Sequence, residues 1–214
     1  GYTLEVFAKL RRQGLRLIVA TGRSASMLPP SVRDFGFDGY VLANGASVWA
    51  GKKEVSRHVL PEELAGGLVG RLERENLEYA LQLPGGTYLS ENRQGILPYF
   101  KRHLFEEAFL VDGPLRECLA EILKIEAYVP GRAREDIVRL FHPLACDCPP
   151  DGHTVEAAPA QVTKASGARE LLAFLGASMK ETMCFGDAQN DLELFAGAGW
   201  AVAMENACVQ VQEQ

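Results

Sequence analysis

The stretch that decides the fold runs from residue 182 to residue 191 and reads TMCFGDAQND. Its first four residues form a short, nearly continuous apolar run, which is typical of a parallel β-strand buried on both faces. A loop containing Asp187, Asn190 and Asp191 follows at once. In open α/β sheets, ligands lie beyond the carboxyl ends of the strands. This loop is therefore a candidate functional site.

The acidic loop admits two interpretations. Asp187 and Asp191 are four residues apart, so their side chains face the same space if the loop turns into a helix. Paired carboxylates suit Mg²⁺, which keeps several waters and is completed by substrate phosphate. Alternatively, Asp and Asn are favoured caps and first-turn residues of helices. Capping does not require two acids and an Asn in one loop, but these residues alone leave both interpretations open.

Two further strands are predicted near the start of the chain. A helical pattern beginning at Leu4 leads into an apolar run over 15–20, and a second apolar run covers 40–43. Helices and strands that alternate with short links are typical of a parallel α/β sheet. We expect residues 15–20 and 182–185 to lie in the same sheet.

Polar residues follow both of these early strands. Thr21, Gly22 and Arg23 come directly after the first, and Asn44 follows the second. The Thr21 hydroxyl and the next backbone amides could hold a phosphoryl oxygen at the carboxyl end of the strand. The alternative, which these residues alone favour, is a simple Thr-Gly turn that leads into the N-cap of a helix.

The pattern changes in the middle of the chain and then resumes. A hairpin is predicted over 48–59, and mixed helices and strands follow it up to about residue 155. The fold class is therefore predicted as α/β: a doubly wound parallel-sheet core with an inserted α+β domain. We assign residues 1–46 and 156–214 to the core and 47–155 to the insertion.

Lys164 is predicted at the start of a helix. This is an unfavourable place for a cation, because the N-terminus of a helix is already electropositive. A nearby phosphate or carboxylate would explain the position. A solvated surface lysine is the alternative.

Composition excludes several classes of partner. The 214 residues carry a formal net charge of −6, and the sequence has no long basic run, which argues against nucleic-acid binding. No apolar run is long enough to span a bilayer, and no signal peptide is visible. The charge still permits a small anionic ligand held by local groups.

The five cysteines do not suggest a disulfide framework, which favours a cytoplasmic location. Cys146 and Cys148 could form half of a metal site only if His142 and His153 were near. We favour a structural role for the pair, because structural zinc needs four closely defined ligands.

Taken together, these motifs resemble the haloacid dehalogenase superfamily. The strand ending in Thr21-Gly22-Arg23, the segment around Lys164 and the loop from Gly186 to Asp191 are similar to its second, third and fourth motifs. The segments 42–46 and 201–207 are similar to the Cof-type branch, in which a large cap is inserted into the core.

The resemblance implies Mg²⁺-dependent hydrolysis of a small phosphorylated metabolite. Thr21 and Lys164 would be catalytic, and Asp187 and Asp191 would ligate Mg²⁺, with Asp191 ligating or orienting it. The residues implied to bind phosphate are Thr21, Gly22, Arg23, Asn44, Lys164 and Asn190.

The family's first motif, Asp-x-Asp-Gly-Thr, supplies the attacking carboxylate and the general acid and base, and it has no match in this sequence. The resemblance implies that the motif lies upstream of Leu4 and that the chain is trimmed at both ends. The chain alone is then expected to be inactive. Two alternatives remain: a phosphomutase-like enzyme, and a binding protein that keeps the fold without catalysis.

Overall fold

The structure is a computed structural model that describes residues 2–103, 105–149 and 151–213. Its α-helices are Tyr2–Arg12 (α1), Pro30–Arg33 (α2), Glu62–Arg74 (α3), Ile96–Arg102 (α4), Leu115–Cys118 (α5), Arg134–Leu140 (α6), Lys164–Phe174 (α7), Leu192–Gly197 (α8) and Val209–Gln212 (α9). Its strands are Ile18–Ala20 (β1), Gly39–Leu42 (β2), Ser47–Ala50 (β3), Lys53–Arg57 (β4), Glu78–Gln82 (β5), Thr87–Leu89 (β6), Lys124–Tyr128 (β7), Ala145–Asp147 (β8), Thr154–Ala158 (β9), Met183–Gly186 (β10) and Trp200–Ala203 (β11).

The first sheet has the strand order β1-β2-β3-β4. β1 and β2 pair in parallel, as predicted, and β2, β3 and β4 pair antiparallel. Gly45 turns the chain between β2 and β3 with φ 103°. A Cβ on Gly45 would lie 2.2 Å from the backbone oxygen of Thr163, so only glycine allows α7 to approach this turn so closely.

The boundary predicted at residue 47 places the hairpin in the insertion, whereas we propose that the hairpin belongs to the core. β3 and β4 extend the first sheet, because the Gly45 turn brings β3 back beside β2. Val48 pairs with Val41, and both are fully buried against α7 together with Leu171. A Gly-turn hairpin has the same pattern in either domain, and only its buried partners decide where it belongs.

The second sheet has five strands in the order β6-β5-β7-β9-β8, and the pairs among them are antiparallel. Residue 156, the predicted start of the second core segment, lies inside β9. We propose that the inserted cap runs from about residue 60 to about residue 158. Helices α3 and α6 cover one face of its sheet, and α4 packs on the other.

β10 and β11 pair in parallel in a separate two-stranded sheet. Our expectation that residues 15–20 and 182–185 share one sheet is wrong for the described residues. Among the described residues, β1 is hydrogen-bonded to β2 alone and β10 to β11 alone, so each strand keeps one edge without a partner strand there. The two sheets are joined through side chains instead, since Leu194 of α8 packs with Leu171 of α7 and Val41 of β2.

One face of the β10–β11 sheet is apolar and exposed. Met183 pairs with Trp200 and Phe185 with Val202, so the four side chains lie on the same face. Trp200 is 71% exposed and Phe185 is 62% exposed. An apolar face of this kind on a folded protein marks a contact surface.

The α/β fold class is confirmed. Parallel strand pairs joined through helices form the part that carries the motifs, and an antiparallel α+β domain is inserted into it. Within the described ranges, no helix is long and apolar enough to cross a bilayer.

Candidate active site

A continuous chain of hydrogen bonds links the loops that the sequence singled out. The backbone N–H of Asn44 donates to the Thr21 carbonyl at 3.1 Å, and Asn190 Nδ2 donates to Asn44 Oδ1 at 3.3 Å. Lys164 Nζ then donates to Asn190 Oδ1 at 2.7 Å and to Asp191 Oδ1 at 2.8 Å. Residues from four separate parts of the chain therefore meet at the carboxyl ends of β1, β2 and β10.

Lys164 is the first residue of α7, as predicted, and it is 7% exposed. Thr163 caps the helix by accepting a hydrogen bond from the backbone N–H of Ser166 at 3.1 Å. The sequence predicted a phosphate or a carboxylate near Lys164, and the structure places Asp191 there. Asp191 is 6% exposed and forms a salt bridge with Lys164. A buried cation at a helix N-terminus is stable here because an equally buried anion lies beside it.

Asp191 organises the loop in which it lies. Its Oδ1 accepts from Lys164, and its Oδ2 accepts from the backbone N–H groups of Asp187 and Ala188 at 3.1 and 3.2 Å. Three donors thus share its two oxygens. Of the two roles that the resemblance implied, orienting the site and ligating Mg²⁺, this arrangement supports the first.

Asp187 lies in a different environment. Its side chain is exposed directly after β10, and its Oδ2 accepts from Asn206 Nδ2 at 3.1 Å. The described residues contain no group of three or more His, Cys, Asp or Glu side chains that could hold a metal ion. A single exposed carboxylate nevertheless fits Mg²⁺, which binds through one or two carboxylates and takes its other ligands from water and phosphate.

The Thr21–Gly22 loop presents free donors. Thr21 Oγ1 accepts from the backbone N–H of Arg23 at 3.2 Å, which leaves its own proton without an acceptor among the described residues. The backbone N–H of Gly22 also has no acceptor in those ranges. A Cβ on Gly22 would lie 2.9 Å from Asn44 Oδ1, so a larger residue here would displace the Asn44 side chain. Two such donors suit an oxygen of an anionic ligand.

The side chain of Arg23, which was predicted to bind phosphate, contacts two backbone carbonyls instead. Its Nη1 donates to the backbone oxygens of Met27 and His103, at 3.1 and 2.8 Å, and so ties the loop to the cap. A role for Arg23 in binding phosphate stays a prediction.

A cavity of about 320 Å³ lies between these loops and the cap. Lys164, Asn190 and Asn44 line its core side. The cap lines it with Lys124, Cys146, Asp147 and Glu156, together with Ala145, Ala157 and Ala158. A larger depression of about 560 Å³ lies over residues 91–98 and contains none of the motif residues, so we place the candidate site in the smaller cavity.

Three carboxylates form a row on the cap sheet. Glu156 on β9 is directly opposite Glu126 on β7 on one side and Asp147 on β8 on the other. Lys124 Nζ lies 3.0 Å from Glu126 Oε1 and 2.7 Å from Glu156 Oε2, whereas Asp147 Oδ2 accepts from Asn190 Nδ2 at 3.1 Å. Like charges that are directly opposite destabilise a sheet. Lys124 therefore pairs with two of the three acids, Glu126 and Glu156, and the third, Asp147, is held by an amide.

This shortage of positive charge affects Glu156. Burial raises the pKa of Glu156 to about 7, the attraction of Lys124 opposes this, and the charges of Glu126 and Asp147 add to it. Burial likewise raises the pKa of the Cys146 thiol, to about 11, so this thiol stays protonated and unreactive at neutral pH. The cysteine agrees with a structural role.

The sequence reasoning missed Lys124, Asp147 and Asn206. Lys124 lies in a strand that alternates in polarity, where a lysine ordinarily faces solvent. β8, which carries Asp147, has only three residues and gave no signal of its own. The one available signal was the pair of charged residues in the otherwise apolar run from 122 to 129.

The sequence profile of the haloacid dehalogenase-like hydrolases matches residues 2–214. The chain belongs to this family. The resemblance seen in the motifs is confirmed, and so is the assignment of the protein as a hydrolase.

Relatives and solved structures agree with this assignment. The HMP-PP phosphatase of Serratia proteamaculans is 26% identical over 98% of this chain and 78% of its own length. The 5-amino-6-(5-phospho-D-ribitylamino)uracil phosphatase YbjI of Escherichia coli K12 is 24% identical over 94% of this chain and 76% of its own. The solved structure of the subclass IIB sugar phosphatase BT4131 covers 99% of this chain and 82% of its own, with a TM-score of 0.79 at 20% identity.

Proposed function

We propose that this haloacid dehalogenase-like hydrolase cleaves small phosphate monoesters in a Mg²⁺-dependent reaction. The observation that carries the proposal is the hydrogen-bond chain from Thr21 through Asn44 and Asn190 to Lys164 and Asp191. It brings donors and a cation to one end of the sheets, beside a cavity that a small molecule fits. Phosphoryl transfer depends mainly on positioning and charge stabilisation of this kind.

Each core residue has a role in the proposal. The Thr21 hydroxyl and the Gly22 N–H donate to phosphoryl oxygens, while Asn44 and Asn190 hold the two loops in register. Lys164 offsets the negative charge of the phosphoryl group, and Asp191 keeps its ammonium in place. Asp187 would hold Mg²⁺, which when bound lowers the repulsion between an attacking anion and the phosphoryl oxygens.

The proposed route is covalent. An Asp carboxylate attacks phosphorus as the ester oxygen leaves, and water then hydrolyses the aspartyl-phosphate. No Asp-x-Asp sequence occurs in residues 1–214, so the resemblance assigns this carboxylate to a segment outside them. The unpartnered edges of β1 and β10, one beside Thr21 and the other beside Asp187, support a position for it between these strands.

The substrate class is a small phosphorylated metabolite. The relatives are named for the dephosphorylation of such molecules, and one solved structure is a sugar phosphatase. The cavity volume suits a molecule of that size. Its polar cap side, with Asp147 and Glu156, favours a leaving group rich in hydroxyl or amino donors.

The proposal is tested by measuring phosphate release from a panel of sugar phosphates and nucleotides as Mg²⁺ is varied. Both the gene product and the 214-residue chain are assayed. We expect the gene product to release phosphate from several small esters only when Mg²⁺ is present. Transfer of the phosphoryl group within the sugar without release would indicate a mutase, and tight binding without turnover would indicate a binding protein.

A further inference from the structure

Lys124 is an unusual residue of the cap. It begins β7, the central strand of the five-stranded sheet, and it is only 2% exposed. Its Nζ donates to Glu156 Oε2 at 2.7 Å and to the backbone carbonyl of Gly22 at 2.8 Å, and it lies 3.0 Å from Glu126 Oε1. A cap lysine thus reaches the backbone of the loop that follows β1.

The charge of Lys124 is maintained against burial. Burial alone would lower the pKa of Lys124, but the attraction of Glu126 and Glu156 outweighs it and holds the pKa above its usual value. A buried ion pair often stabilises a protein no better than well-packed apolar residues of similar volume. Stability of the cap is therefore a weak reason for this arrangement. The bond to Gly22 is the contact that an apolar side chain could not make.

The Gly22 carbonyl is connected to the Thr21 side chain through a single peptide group. It belongs to the peptide group that joins Gly22 to Arg23, and the N–H of that same group donates to Thr21 Oγ1. A cation on the carbonyl fixes the plane of the peptide and polarises it, which strengthens the hydrogen bond from its N–H. Since that bond uses one lone pair of the hydroxyl, the Thr21 proton is left for a ligand oxygen.

We propose that Lys124 is a positioning residue for phosphate binding. From the cap, it holds the Gly22–Arg23 peptide and through it orients the Thr21 hydroxyl. This one contact from the cap therefore holds the Thr21–Gly22 loop in the conformation that offers the Thr21 proton to phosphate. This inference rests on the proposed function in naming phosphate as the ligand of Thr21, but the contact with the peptide can be tested without catalysis.

Another buried contact between cap and core provides the matched control. Ser26 Oγ and Thr87 Oγ1 lie 2.9 Å apart, and both side chains are buried. Thr87 reaches the core from β6 without touching the Gly22–Arg23 peptide. Thr87→Val removes this contact and should leave the bond from Lys124 to the Gly22 carbonyl, and with it the Thr21–Gly22 loop, unchanged.

The first measurement is hydrogen exchange at the Arg23 amide. Lys124→Met alone would leave the buried Glu126 and the partly buried Glu156 without a cation, so it is combined with Glu126→Gln and Glu156→Gln. We expect the Arg23 amide to exchange about tenfold faster in this triple variant than in the wild type, and at the wild-type rate in Thr87→Val. Wild-type exchange at Arg23 in a folded triple variant would overturn the proposal.

The second measurement is a double-mutant cycle on the affinity for inorganic phosphate in the presence of Mg²⁺. In the wild-type background the triple change should weaken binding about tenfold, and in a Thr21→Val background less than about twofold, because the effect passes through that hydroxyl. Equal losses in both backgrounds would contradict the proposal. Absence of ester hydrolysis by the wild type would count against the proposed function. The exchange rate of the Arg23 amide tests the positioning role of Lys124 separately, because it does not depend on catalysis.

Discussion

Lys164 Nζ lies 2.8 Å from Asp191 Oδ1, and both side chains are almost completely buried. Lys164 and Asp191, which are 27 residues apart in the sequence, thus form one buried ion pair at the start of α7. Asp191 also accepts from the N–H groups of Asp187 and Ala188, so the same carboxylate shapes the loop that presents Asp187. The two acids of this loop therefore have different tasks.

The first prediction separates these tasks by their magnesium dependence. Asp187→Asn should raise the Mg²⁺ concentration for half-maximal activity by about tenfold or more, because it removes the exposed carboxylate proposed to hold the ion. Asp191→Asn should lower the thermal midpoint instead, by several degrees, since it leaves Lys164 without its buried partner. Mg²⁺ titrations and unfolding curves of both variants check this. A larger magnesium effect in Asp191→Asn would reverse the assignment.

The second prediction concerns substrate choice. Asp147 lines the cap side of the cavity, and its contact with the core is the hydrogen bond from Asn190. Asp147→Asn should change the ratio of kcat/KM between amino-sugar and neutral sugar phosphates by about tenfold, because the carboxylate favours donor-rich leaving groups.

The control for this change is Glu193→Gln on the opposite wall of the cavity, where the carboxylate is held by Arg169. It should leave the ratio unaltered. Equal ratios of kcat/KM in wild type and Asp147→Asn would show that Asp147 does not select the substrate.

The third prediction follows from Glu156, whose pKa burial raises to about 7. In the unfolded chain a Glu titrates near pH 4.3, at about the model-peptide value. Between these values the folded state binds more protons than the unfolded state, so this group lowers the free energy of unfolding as pH rises from about 4.3 to about 7. Glu156→Gln should therefore gain stability relative to wild type across that window.

Denaturant unfolding at several pH values measures this difference. Glu181→Gln is the control, because hydrogen bonds from the Ser178 hydroxyl and backbone N–H hold the pKa of Glu181 below its usual value. Stability from Glu181 is lost only as pH falls below about 4.3, outside the window. A constant difference between wild type and Glu156→Gln from pH 4.5 to 7 would refute the raised pKa.

The fourth prediction concerns the exposed face of the β10–β11 sheet. Because Phe185 and Trp200 are largely exposed on that face, the 214-residue chain should bind a hydrophobic dye such as ANS. Phe185→Thr combined with Trp200→Thr should reduce dye fluorescence by more than about half, whereas Val138→Thr, at an isolated exposed position on α6, should not. Dye binding that is unaffected by the double change would locate the apolar surface elsewhere.

Much of the fold could be predicted because its signals are local. The apolar runs before Thr21 and Asp187 indicated strands, and the positions of the motif residues after them predicted one site. The hydrogen-bond chain through Asn44, Asn190 and Lys164 agrees with that prediction.

The strand pairings that the sequence did not predict are long-range, and local patterns do not determine them. The alternation in β3 and β4 is the same whichever sheet they join, and the choice depends on the burial of Val48 against α7. The separation of β1 from β10 depends on which edges are paired, and a strand's own sequence does not specify its neighbours. The burial of Lys124 could not be predicted for the same reason. A lysine in a strand is expected on the surface, and only its distant partners show that it is buried.

The central claim is that Asp187 and Lys164 serve phosphoryl transfer, and the most direct measurement is steady-state phosphate release by the gene product carrying Asp187→Ala or Lys164→Ala. Each change should lower kcat/KM by about a hundredfold to a thousandfold, the typical effect of removing a preorganised charge-stabilising group. Circular dichroism confirms that each variant is folded before it is assayed. Near-wild-type turnover in both folded variants would contradict the account.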